Sequence, residues 1–221
     1  MSFYEQLVKQ TESSREYLLT SPIILRTFRG EITNEDYLAF LTQAYYHVRH
    51  TVPLLMAVGS RLTMQQEWLR EAIGEYIEEE MGHQEWILND IEAVGGNKEA
   101  VRNGTPSIAT ELMVAYAYDT INRVNPLGFF GMVLVLEGTS IKLATNAAGI
   151  IQKTLNLSDK AFSYLRSHGS LDIEHMKFFE SLMNRITDRE EQKAIIHAAN
   201  IFYRLYADIF RALDHHQTNA A

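Results

Sequence analysis

Apolar residues recur every three to four positions along nearly the whole chain, and they nowhere alternate with polar ones over the length of a strand. The pattern predicts helices only. A first helix over 3–20 stops before Ser21-Pro22. A second, "ITNEDYLAFLTQAYYHVRHTVPLLMAVGSRL", starts at an Asn34 cap, carries Tyr37, Phe40, Leu41 and Ala44 on one side, and should kink at Pro53. A long third helix, "QEWLREAIGEYIEEEMGHQEWILNDIEAVGG", ends at Gly95-Gly96. After a polar turn comes "PSIATELMVAYAYDTINR". Then "NPLGFFGMVLVLEGTSIKLATNAAGIIQKTL" is apolar almost all round and reads as a central buried helix. "SDKAFSYLRSHGSLDIEHMKFFESLMNRI" predicts one bent helix or two, and "DREEQKAIIHAANIFYRLYADIFRAL" closes the fold. With no repeat and no linker, residues 1–221 are expected to form one all-α domain of about seven or eight helices.

Composition narrows the class. A formal net charge of -8 and no Lys/Arg cluster argue against a nucleic-acid partner. The N-terminus, "MSFYEQLVKQTESSREY", lacks the order of a signal peptide, and the longest apolar run, "PLGFFGMVLVL", stops at Glu137, too short for a membrane span. A cytoplasmic protein is expected. There is no cysteine, so no disulfide and no thiolate. Any metal must be held by His and carboxylates, ligands that suit iron, manganese or zinc.

Three segments carry such groups where the pattern predicts core. Glu137 ends the most apolar run of the chain, and an unpaired buried carboxylate costs several kcal/mol. By itself it fits a salt-bridged structural acid as well as a ligand. In "IEEEMGHQEW", Glu80 and His83 stand at i and i+3, Glu79 and His83 at i and i+4, and either pair shares a helix face. A solvated acidic face accounts for Glu78 and Glu85. Trp86, three residues past His83, predicts that His83 faces inward, with Asp90 as its partner from behind. In "SHGSLDIEHM", His168, Asp172 and His175 fall at i, i+4 and i+7 on one face. Gly169 and Ser170 leave open a helix that begins only at Ser170.

With these residues in hand, the chain resembles the heme-oxygenase-like all-α superfamily, which includes the TenA, PqqC and CADD-like enzymes. "SPIILRTFRGEITNEDYLAFLTQAYYHV" is similar to the start of TenA- and PqqC-type proteins. A Glu near a His, then a Glu in a buried helix, then His-x3-Asp-x2-His, is similar to the ligand order of the heme-oxygenase-like diiron oxidases, and "EMGHQEW" looks like a stretch of UndA-like members. The resemblance implies Glu80, His83, Glu137, His168, Asp172 and His175 as ligands to two iron ions, with manganese as the other metal such a set suits. Glu137 would bridge the ions. CADD-like members place the first Glu where this chain has Tyr76, so Glu79 and Glu80 compete for that role. The chain departs from the thiaminases: it has no nucleophilic Cys, and Ala44 stands where they carry an Asp. True heme oxygenases need a proximal His earlier than His47 or His50.

The resemblance implies a nonheme diiron oxidase or oxygenase that uses O₂ to oxidise a small organic molecule. Tyr76, His47 and His50 are the candidate catalytic groups. A tyrosine beside an oxidising metal can donate an electron. His47 and His50, one turn apart without a nearby acid in sequence, read as pocket-lining. No flavin or nicotinamide motif is present, so an external electron donor is expected; a homodimer is compatible. Two other readings stay open: a PqqC-like cofactorless or mononuclear-metal oxidase, and a non-enzymatic helical interaction protein.

Overall fold

In a computed structural model the described residues are 1–214, with only the backbone described over 168–174. Among them there is no strand, and the all-α expectation holds. The helices are α1 Phe3–Gln10, α2 Glu12–Leu19, α3 Pro22–Phe28, α4 Asn34–Val48, α5 Thr51–Arg61, α6 Glu67–Glu80, α7 His83–Ala93, α8 Lys98–Arg102, α9 Ile108–Asp119, α10 Phe129–Leu155, α11 Ser163–Arg185 and α12 Arg189–Asp214.

Among the described residues twelve α-helices stand where seven or eight were expected: three long periodic segments are each cut once, and two short helices, α3 and α8, form in what the pattern left as connections. Thr11 separates α1 from α2, its hydroxyl turned back to donate to the Leu7 carbonyl at 2.8 Å. The second segment breaks at Arg49-His50 rather than at Pro53. Pro53 falls in the first turn of α5, where its missing N–H breaks no helical bond. The third breaks at Met81-Gly82, where Gly82 takes φ 93°, a left-handed backbone open to glycine at no steric cost. Elsewhere the reading is off by one residue: Thr33, not Asn34, caps α4, in a capping box with Asp36. The segment around His168 is one continuous helix, α11.

The central helix α10 packs chiefly on α11 and α12. Its buried face, Phe130, Met132, Leu134 and Val135, meets Ala198, Ala199, Phe202 and Tyr203 of α12 in one core cluster. A second cluster gathers Tyr37, Leu41, Ile87, Ile91, Ala148 and Phe162. Counted past Glu137, the stretch Pro126–Leu155 is long and apolar enough to cross a membrane, contrary to the expectation from its first half alone. Within the fold 61% of its most apolar window is buried, as in a core helix. Arg26 ties α3 to both neighbours, meeting Asp36 of α4 at 3.2 Å and Asp214 of α12 at 3.1 Å.

Asp90 does not back His83. Fully buried on α7, it accepts from the Ser163 and Tyr164 amides at 3.0 and 2.9 Å and from the Ser163 hydroxyl. A carboxylate from another helix thus caps α11, the helix that carries the His168–His175 segment. Asp90→Ala should cost about 2 kcal/mol, the range of a lost cap with charged hydrogen bonds. Thermal unfolding would then fall by ~4–8 °C in a chain of this size. An unchanged melting temperature would mean that water replaces the carboxylate without loss.

Candidate functional site

The last turn of α6 brings Tyr76, Glu79 and Glu80 to one place, and the break at Gly82 sets His83 at the start of α7. Glu80 and His83 therefore meet across a helix junction, not along one helix face. Glu80 Oε2 lies 3.1 Å from His83 Nδ1, and His83 is 3% exposed. The His83 ring stacks on Trp86, centroids 4.0 Å apart and planes 30° apart, which fixes its orientation. A second pair faces it from α11: His175 Nε2 lies 3.0 Å from Glu79 Oε2, and His175 is buried. Glu79 and Glu80 thus each meet a different imidazole.

Tyr76 sits beside the second pair, 2% exposed, its ring edge-on to His175 at a centroid distance of 6.3 Å. Burial, then Glu137, Glu79, Glu80 and Glu75, push its hydroxyl far above the usual tyrosine range. At neutral pH the hydroxyl is therefore held in its protonated form. Among the described residues it has no partner.

Tyr76, Glu80 and Glu137 open together onto a cavity of about 160 Å³, narrow against the roughly 300–1,000 Å³ of pockets for drug-sized ligands. The cavity lies where the two core clusters meet, for its walls draw on both. Glu137 Oε2 is fully enclosed. Of the candidate catalytic groups, His47 is 2% exposed, lines the cavity and stands edge-on to Tyr206 at 5.7 Å. His50 points elsewhere. Its Nδ1 lies 3.2 Å from the Tyr118 hydroxyl, and burial, aided by Arg49, lowers its pKa. His168 and Asp172 lie outside the described side chains. Among the described residues no three His, Asp or Glu side chains gather closely enough to hold an ion.

Sequence reading missed Thr139 and Ser140. Both line the cavity less than one turn beyond Glu137, and neither hydroxyl has a partner among the described residues. Two further polar residues directly after Glu137 in an apolar run, "LEGTSIKL", were the available signal.

A family model described as "Iron-containing redox enzyme" matches residues 38–207. The chain belongs to this iron-containing redox enzyme family. A search of curated proteins finds no match to it. Among solved structures, this family member is similar to a domain of unknown function with a heme oxygenase-like fold from Shewanella denitrificans, with 21% identity, TM-score 0.88, and coverage of 99% of this chain and 94% of that one. A TenA homolog from Pseudomonas syringae pv. tomato follows at 10% identity and TM-score 0.80, covering 96% and 93%. Heme oxygenase-1 from the cyanobacterium Synechocystis, solved in complex with heme, gives 13% identity and TM-score 0.78, covering 100% and 96%. At such identities these likenesses establish the heme oxygenase-like fold alone.

Proposed function

We propose that this iron-containing redox enzyme family member is a nonheme iron oxidase or oxygenase acting on a small organic substrate. The observation that carries the reading is two imidazole–carboxylate contacts, one between buried His83 and Glu80 and one between buried His175 and the more exposed Glu79, with Glu80 and Glu137 lining one small apolar cavity. Imidazole and carboxylate without thiolate fit iron or manganese. Glu80, His83, Glu137 and His175 would hold the metal together with His168 and Asp172, and two histidine centres suit two ions. Bound iron would supply the capacity to bind and reduce O₂.

The remaining work falls to the chain. Trp86 holds the His83 ring in place by stacking. The apolar walls keep water from the reacting groups. The Tyr76 hydroxyl, kept protonated, is a donor for a substrate atom or for O₂. Electrons beyond one turnover would come from an external donor. The small volume of the cavity, about 160 Å³, favours a nonheme centre over a bound porphyrin.

Loading the purified protein with Fe(II) under argon, desalting and counting iron tests the reading. Retention of one to two ions per chain, with no Soret band, is expected. Protein that keeps no iron would hand the assignment to the cofactorless, PqqC-like reading.

A further inference from the structure

The cavity is asymmetric along its length. On α10 its lining begins at Phe129, Met132 and Val133 and continues past Glu137 through Ser140, Leu143, Ala144, Ala147 and Ile151, a stripe at helical spacing. From Glu137 to Ile151 this is roughly 21 Å of helix at 1.5 Å per residue. The stretch around Glu137 is polar: the hydroxyls of Tyr76, Thr139 and Ser140 border it, all three without partners among the described residues. Tyr76 is 2% and Thr139 7% exposed, so water does not readily satisfy them. Neither Thr139 nor Ser140 bonds back to its own helix, as buried hydroxyls on helices commonly do. Three buried hydroxyls left open at one spot await a ligand group.

The arm that runs from there toward Ile151 is mostly aliphatic and aromatic. Ile24 and Phe28 of α3, Phe40 of α4, Leu165 of α11 and Phe210 of α12 face the α10 stripe. Gly30, just past α3, lies against Thr154, so the end of α3 reaches the Ile151 end of the cavity. Phe28 there is 36% exposed and forms a rim. Within this arm Ala144 and Ala147 are the small positions in a wall of larger side chains. A leucine or phenylalanine at either would fill it. Among the described residues no Lys or Arg lines the cavity, while Glu80 and Glu137 do. In the metal-free protein an anionic head would meet these two carboxylates, and an ammonium head would occupy the groups that the proposed metal needs.

We infer that the cavity takes an amphiphile with a neutral polar head and an unbranched aliphatic tail: Tyr76, Thr139 and Ser140 receive the head, the tail runs over Ala144 and Ala147 toward Phe28, and Ala147 decides how long that tail can be. The inference rests on the cavity being the substrate site of the proposed oxidase. It concerns binding alone and is tested without metal, so its failure and failure of the iron reading are told apart.

The probes are straight-chain primary alcohols from hexanol to decanol, titrated calorimetrically into metal-free protein. Each added methylene should tighten binding about fourfold, the equivalent of ~0.8 kcal/mol per buried CH₂. In Ala147→Phe the gain should stop, leaving decanol at least about thirtyfold weaker than in the unaltered protein. Ser140→Ala, which favours helix and should fold, should weaken every alcohol by a similar factor, about fivefold for one lost hydrogen bond, and leave the slope with length intact. Affinity that does not rise with length in the unaltered protein would overturn the proposal. So would full decanol affinity in folded Ala147→Phe. Decanoate binding more tightly than decanol would overturn the neutral head, and a Ser140→Ala protein with unchanged affinities would remove the head site.

Discussion

Gly131→Ala is expected to destabilise the protein by about 3 kcal/mol, and Gly149→Ala, eighteen residues along the same helix, to stabilise it. Both glycines lie inside α10. Helix propensity alone favours alanine at either by ~1 kcal/mol. At Gly149 nothing lies within 4 Å of an added Cβ, so that preference is realised. At Gly131 the Cβ would stand 2.5 Å from the Ala199 backbone nitrogen and 2.9 Å from the Ala199 Cα. Those atoms belong to the backbone of α12 and cannot turn aside. The two helices must separate, and the core face of Phe130, Phe202 and Tyr203 loosens with them. A melting temperature lower by ~6–12 °C for Gly131→Ala, beside one raised by a few degrees for Gly149→Ala, is the expected pair. Equal shifts of one sign would mean that α10 and α12 are not held in this close approach.

That contact was not legible in the sequence, and the reason is general. Periodicity reports which face of a helix is buried, not how near the next backbone comes. The same limit explains the other departures. The all-α class and the central place of α10 follow from the apolar period. The break at Gly82 does not, because "EMGHQEW" continues the period on both sides. The Glu80–His83 spacing was read as one helical turn, yet the contact closes across a junction. Asp90 shares a helix face with His83, and spacing made it that residue's partner. Its actual partners, Ser163 and Tyr164, are distant in sequence, and no local rule pairs them. His47 and His50 looked alike in sequence. One lines the cavity and the other meets Tyr118, because the chain turns at Arg49 between them. Apolar runs interrupted by polar groups were the dependable signal: Glu137 stood out that way, and Thr139 and Ser140 beside it should have been read with it.

The largest functional effect is expected from the two buried imidazoles. In His83→Ala and in His175→Ala, iron retained after desalting should fall by about half, and in the double variant to near zero. Each imidazole is paired with a different carboxylate, Glu80 or Glu79, so each removal should weaken one binding position and leave the other. Loss of a direct ligand should cost more than the ~10–100-fold typical of the groups behind ligands. The fold should survive. The His83 ring stack on Trp86 is worth only ~0.5–1.5 kcal/mol beyond area, and the helices are held by the apolar clusters around it. Far-UV circular dichroism on the same samples separates lost metal from lost structure. Tyr76→Phe is the contrast. It removes only a hydroxyl without a partner among the described residues, so iron content should not change. The retained iron in the unaltered protein should also drop below roughly pH 6, since imidazole and carboxylate bind metal only when deprotonated. Single variants that keep all the iron of the unaltered protein would mean that the pairs are structural ion pairs, and the metal would have to be sought elsewhere on the chain.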